Sequence, residues 1–219
     1  MRTLRSAILA VLFLASSLFA QPDSWRLDQA HSKVQFTVSH MVISEVTGHF
    51  KNFDANVTGN KDDLSDANIN FTIDVNSIDT DNQKRDEHLK SDDFFNAAKY
   101  PQIKFKGKSL KKISGNKYKL SGDFTIRDIT KPLELDVIYG GTVKDMSGNQ
   151  RSGFKVSGTI NRFDYNLKWN KLLETGSAVV GKDVNLLCNV EFVKDAQQNG
   201  AKLKDNSQKE MKPQKEAKK

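Results

Sequence analysis

The chain has 219 residues, 37% hydrophobic and 28% charged, with 13 Gly, 4 Pro and a single Cys. That composition is globular and excludes a collagen-like chain, a disulfide scaffold and a four-cysteine metal site. The formal charge of +7 is no nucleic-acid footprint: Arg2 and Arg5 precede the folded region, the last 25 residues hold seven Lys against four acids, and only +2 remains on residues 21–194.

Residues 1–20, MRTLRSAILAVLFLASSLFA, read as a secretory signal, with two arginines before an apolar run from Ala7 to Ala15 and Leu18-Phe19-Ala20 before the expected cut. A bilayer span needs about 20 apolar residues, so this run is too short to be one. No cysteine stands near the cut, which argues against a lipid-modified N-terminus. The expectation is a protein exported to the periplasm or secreted, and not membrane-spanning.

From Trp25 onward the pattern has period two, the mark of strands with one buried face. Val34, Phe36, Val38 and His40 alternate with Lys33, Gln35, Thr37 and Ser39. A second strand over about 45–57 carries Phe50 and Phe53, and a third carries Ala67, Ile69, Phe71, Ile73 and Val75. Ile103 and Phe105 mark a fourth, and Tyr118, Leu120, Gly122, Phe124 and Ile126 a fifth. Leu133, Leu135, Val137 and Tyr139 form the sixth, and Phe154, Val156, Gly158 and Ile160 the seventh. Val184, Leu186, Cys188, Val190 and Phe192 complete eight. Turn chemistry at Ser114-Gly115-Asn116, 128–131 and Ser147-Gly148-Asn149 joins sequential strands closely, so neighbours run antiparallel.

Two interruptions stand out. Residues 79–100 hold a short helix capped by Asp81 or Asn82 and ending near Leu89, with Leu89, Phe94, Phe95 and Tyr100 as an apolar underside. Residues 164–181 carry Leu167, Trp169, Leu172, Leu173, Val179 and Val180, too apolar for a free loop, and are read as packed over an opening. Residues 195–219 lack periodicity and read as a disordered Lys-rich tail, leaving 21–194 as one domain.

The fold class is therefore all-β: an extended eight-stranded antiparallel up-and-down barrel, lipocalin-like, with a short helical lid between strands 3 and 4. Long sequential strands favour closure, which removes exposed edges. The absence of aromatic girdles and long loops favours apolar-in over an outer-membrane barrel. Eight strands leave an interior that side chains fill or that one small ligand occupies. Small inward residues (Ala67, Gly122, Gly158, Cys188) beside large ones suggest unfilled room, where each buried CH₂ of a ligand gains about 0.8 kcal/mol; a solid core without ligand is the other reading. The candidate lining is Val34, Phe36, Val38, His40, Phe50, Ile69, Phe71 and Ile73 from the first three strands. Phe105, Phe124, Leu135, Val137, Phe154, Val156, Leu186 and Val190 supply the rest.

The run IDVNSIDTDNQKRDEHLKSDDFFNAAKYPQIKF (73–105) resembles the YceI-like family of lipocalin-like, polyisoprenoid-binding proteins. So do HSKVQFTVSHMVISEVTGHF (31–50), GDFTIRDITKPLELDV (122–137) and VGKDVNLLCNVEF (180–192). The resemblance implies an eight-stranded barrel whose pore holds a long isoprenoid or fatty chain without catalysis, in the periplasm. One departure is visible: the family often has Arg-Ser-Asp-Phe-Gly where this chain has Arg162-Phe163-Asp164-Tyr165-Asn166, and Asn tolerates positive φ well enough to keep the turn.

The four histidines, His31, His40, His49 and His88, do not converge as a metal site requires, and no cofactor is expected. His40 is read as a polar group inside the barrel. Arg85 and His88 share a helix face and pin a lid rather than perform chemistry. With no nucleophile elbow or phosphate loop, the expectation is a non-enzymatic carrier or scavenger of a long-chain lipid. Its partner is an isoprenoid or fatty-acid-like ligand, with a homodimer compatible. The alternatives are a filled barrel, or a stress-related periplasmic protein, binding a protein partner through lid or tail; a lipid enzyme would depend on His40. Cys188 reads as a buried, inert thiol.

Overall fold

The computed structural model describes residues 22–174, 176 and 178–195; the expected signal and all but the first residue of the expected tail lie outside them. Alternating sequence becomes alternating burial in eleven strands: β1 (Ser24–Leu27), β2 (Lys33–His40), β3 (Ser44–Phe50), β4 (Phe53–Thr58), β5 (Asn68–Asp74), β6 (Ile78–Asp79), β7 (Gln102–Ser114), β8 (Lys117–Ile126), β9 (Ile129–Lys144), β10 (Gln150–Asn161) and β11 (Val180–Lys194). The paired strands are antiparallel, and β1 pairs with both β4 and β11, so the sheet closes on itself.

Eleven strands make eight ribbons because three ribbons bend. β1 and β2 both run along β11, and Asp28 breaks them apart by accepting from Ala30 N at 3.0 Å and His31 N at 3.3 Å, which winds residues 29–31 into a 3₁₀ turn. β3 and β4 are separated by Lys51 and Asn52. β5 and β6 are separated by a turn that Asp74 caps through Asn76 N at 2.9 Å. The barrel is therefore the eight-stranded, antiparallel, closed one that the period-two pattern predicts.

β6 pairs with β3, whereas β7 pairs with β5 and β8. Between β6 and β7 the chain runs instead through helix α1 (Gln83–Lys90) and the turns after it. Asn82 caps α1 by accepting from Arg85 N at 3.0 Å, as its side chain and position predict. The helix buries none of its residues fully; Leu89 packs against the core, and polar contacts hold its first turn. Thr80, itself buried, receives the Arg85 Nε–H on its Oγ1 at 2.7 Å and donates to Asp86 Oδ1 at 2.6 Å. Asp86 faces back to Thr80, accepting also from its backbone N at 3.0 Å, because it lies in the first turn of the helix beside that residue.

The apolar side faces inward. Phe105, Phe124, Leu135, Val137 and Phe154 are buried, while the intervening residues form ion pairs on the outer face, such as Lys108–Asp123 at 2.6 Å and Lys119–Asp136 at 2.9 Å. Among the described residues no helix is long and apolar enough to cross a membrane.

Candidate functional site

The inward residues enclose a cavity of about 210 Å³. An apolar cavity of about 150 Å³ already admits benzene; drug-sized pockets begin near 300 Å³. The space suits a segment of a single narrow chain. Of the lining expected from periodicity, Val34, Phe36, Val38, Phe50, Ile69, Phe71, Ile73, Phe105, Phe124, Leu135, Val137, Phe154, Val156, Leu186 and Val190 all border it.

His40 does not border the cavity. It is the last residue of β2, paired with Ser44 and Val180. The β2–β11 ladder loses register between Val180 and Val184, and the chain turns off at Met41 with φ 53°. The wall therefore stops at Val38, and His40, half-buried, belongs to the rim.

The reason for the room also needs correcting. A Cβ on Gly122 would lie 2.5 Å from Phe105 Cζ, and one on Gly158 would lie 2.5 Å from Leu135 Cδ2. Those glycines make space for neighbouring side chains, not for a ligand. Ala67 does not border the cavity either. The lining side chains that pack against the core yet stay partly uncovered are Phe36, Ile69, Phe71, Leu133, Val156, Val184, Leu186 and Cys188 on the walls, and Leu89 and Phe95 on the cover.

One end of the barrel is sealed by residues 59–67, a plug that periodicity does not reveal. Leu64 caps the cavity at 2% exposure. Trp25 Nε1 donates to Gly59 O at 3.1 Å, Ser152 Oγ to Asp62 O at 3.1 Å and Tyr118 OH to Asp63 Oδ2 at 2.8 Å. Burial, reinforced by the Asp63 carboxylate, pushes the Tyr118 hydroxyl up to about 12, so it stays a donor.

At the other end the two interruptions meet. Leu89, Phe94 and Phe95 after β6, and Leu167 after β10, border the cavity. The covers join through His88, Phe94 and Trp169, with the His88 and Trp169 rings 4.9 Å apart edge to face and Phe94 and Trp169 at 5.4 Å. Arg127, in the β8–β9 turn, donates from Nη1 to Phe94 O at 3.1 Å and Asn166 O at 3.3 Å, bonding both covers at once. His88 Nε2 bonds Asp93 at 2.9 Å instead of sharing a contact with Arg85. Two expected cover residues differ from the reading. Tyr100 turns to Asp128, its hydroxyl 3.2 Å from Oδ2, under the Arg127 guanidinium. Leu172 is 72% exposed: it bridges Ala178 and does not fold onto the covers.

Polar residues bordering the cavity are Gln35, Lys104, Ser157 and Arg162; the first three lie on the outward parity of their strands. Arg162 is 3% exposed. Its guanidinium donates to backbone carbonyls: Nε to Gly181 O at 2.7 Å, Nη1 to Trp169 O at 2.8 Å and Nη2 to Val180 O at 3.0 Å, with Nη1 also reaching Leu167 O. Burial pulls its pKa down, and the four carbonyl dipoles replace the lost water. Asn166 ends the adjoining 3₁₀ turn at φ 60°, ψ 24°, so the turn keeps its left-handed residue without glycine. Cys188 faces the cavity, and burial pushes its thiol up to about 12.

Asp28, His31 and Glu191 bring potential metal ligands within 4.8 Å of one another. Arg151 Nη1 already lies 2.6 Å from Asp28 Oδ2 and 2.6 Å from Glu191 Oε1, so a guanidinium neutralises those carboxylates.

The YceI-like domain model matches residues 25–192, the whole barrel. A UPF0312 protein of Staphylococcus epidermidis is 40% identical over 169 residues, covering 77% of this chain and 96% of its own length, and one of Staphylococcus aureus is 40% identical over 170 residues, with the same coverage. The structure of the Campylobacter jejuni YCEI protein superposes with a TM-score of 0.61 at 34% identity, covering 72% of this chain and 90% of that one. A polyisoprenoid binding domain from Saccharophagus degradans shares the fold at 17% identity and a TM-score of 0.57, covering 78% of this chain and 98% of that one. With the domain model spanning β1 to β11 and relatives this similar, the chain belongs to the YceI-like family.

Proposed function

We propose that this protein is an exported, non-enzymatic carrier or scavenger of a single-chain lipid, an isoprenoid or fatty-acid-like molecule, whose tail lies in the barrel. The observation that carries the reading is the cavity of about 210 Å³ walled by aliphatic and aromatic side chains. Dry apolar cavities of this size take up apolar guests. A longer chain is accommodated by rotation of Phe36 and Phe95, which are only partly packed. The fold neighbour described as a polyisoprenoid binding domain supports the same ligand class. Absence of catalysis is supported by the use of Arg162, whose donors are committed to carbonyls. Export is supported by the signal-like residues 1–20.

The test is extraction. Protein purified without detergent from its native host is extracted into organic solvent and analysed by mass spectrometry, and the emptied barrel is titrated with the apolar fluorophore N-phenylnaphthylamine. A chain-like lipid in near-stoichiometric amount, and its competition with the fluorophore, are expected. Empty extracts from folded protein that also fails to take up the fluorophore overturn the proposal.

A further inference from the structure

The covered end of the barrel carries an exposed apolar edge. Val42 and Ile43, at the tip of the β2–β3 hairpin, are 74% and 84% exposed, and Leu172 is 72% exposed. These residues are neighbours through the backbone. Met41 N donates to Val179 O at 2.9 Å, Val180 pairs with His40, Val179 N donates to Lys171 O at 2.9 Å, and Leu172 bridges Ala178. Hairpin tip, start of β11 and the Leu172–Ala178 bridge thus form one continuous edge. Met41 and Val42 both take left-handed backbone, φ 53° and 67°, a conformation that disfavours β-branched residues in particular. The turn keeps valine where asparagine or glycine fits better and holds its side chain in water; covering the tip when the protein works removes that exposure.

We infer that this edge inserts into the surface of a lipid bilayer and sets the cavity entrance at the level of the acyl chains. The inference rests on the carrier reading. Val38 and Val180 border the cavity and lie next to this edge, so an inserted edge brings the cavity and the lipid chains into one apolar phase. The exposed charges on the flanking segments alternate in sign: Lys168, Lys171 and Lys182 against Glu45, Glu174 and Asp183. They cancel, which fits a zwitterionic headgroup layer and gives no reason for anionic lipid. Three loop-tip side chains fall far short of the about 800 Å² per partner that a stable protein interface buries, which disfavours a second copy as the cover.

The test uses the full mature chain and sucrose-loaded vesicles of pure phosphatidylcholine, with sedimentation as the readout. The protein is expected to pellet with the vesicles, with less than about a twofold change on raising salt. The triple variant Val42→Ser, Ile43→Ser, Leu172→Ser is expected to lose about 100-fold in partitioning. Ile43→Trp is expected to shift its fluorescence to the blue on adding vesicles, a readout independent of the triple variant's folding. N-phenylnaphthylamine uptake by the triple variant should match the parent, so loss of docking is read separately from loss of the cavity. No pelleting of the parent overturns the inference. So does binding that requires anionic lipid and vanishes in salt, or sedimentation velocity showing a parent dimer that the triple variant dissociates.

Discussion

Arg162 and Val180 are joined by a hydrogen bond of 3.0 Å from Nη2 to the carbonyl oxygen, which ties the end of β10 to the start of β11 across the segment that closes the cavity. The same guanidinium also holds Leu167 and Trp169, so one buried cation fixes both ends of that segment. Lysine has the charge but not the fork. A lysine ammonium has three donors for four carbonyls, so Arg162→Lys is expected to leave at least one carbonyl without a donor and to destabilise the fold by about 2 kcal/mol. It should also speed fluorophore release from the cavity. Urea unfolding and stopped-flow displacement check the two effects, and unchanged values for both would show that Arg162 does not hold the cover.

Val156, the cross-strand partner of Cys188, borders the cavity two residues along β10 from Phe154. Val156→Phe adds a ring where the structure has a void, so the usual overpacking cost of about 1–3 kcal/mol is reduced or absent. Fluorophore uptake is expected to fall at least about tenfold while cooperative unfolding persists. Retained uptake in a folded variant would place the guest elsewhere.

The walls of this cavity were legible because strands impose period two. Val34, Phe36 and Val38 could only face one way once the charged Lys33 faced the other, and the same holds for Leu135 and Val137 around Asp136. What resisted reading lies where no period operates. Leu64 seals the base from a loop, and its role depends on Trp25, Tyr118 and Ser152, each more than 30 residues away in sequence. His40 kept the inward parity of its strand but lost the wall, because the β2–β11 ladder shifts register beside it. Gly122 and Gly158 looked like vacancies, since their occupants, Phe105 and Leu135, come from neighbouring strands. Composition along one strand cannot show that interdigitation.

Cys188 offers a probe of the interior. Its surface is partly uncovered, yet its thiol is pushed up to about 12 by burial, which agrees if the uncovered part faces the cavity and not bulk water. A thiol with that pKa holds almost no thiolate at neutral pH. Iodoacetate, which is charged, is expected not to label it in the native state, whereas the neutral N-ethylmaleimide should label it slowly. A saturating fatty acid should slow N-ethylmaleimide further. Mass spectrometry of timed samples reads this, and labelling by iodoacetate at the rate of the unfolded chain would place Cys188 outside the cavity.

Arg151 gathers three carboxylates at the sealed end. Nη1 lies 2.6 Å from both Asp28 and Glu191, and Nε lies 2.8 Å from Asp145. The guanidinium, with His31, holds Asp28 down at about 2, and with Asn149 it holds Asp145 at about 2, against an ordinary carboxylate value of 3.8. A depressed folded-state pKa contributes stability that is complete above the unfolded value and is lost as pH falls through the folded one. The window therefore runs from about pH 4 down to about pH 2. Arg151→Gln removes the cation that depresses both groups, so it should be less stable than the parent at about pH 6, and the difference should shrink as pH approaches about 2. Urea midpoints across that range measure it. A difference that stays constant from neutral to acid would mean that Arg151 acts through packing of its methylene stem and not through its charge.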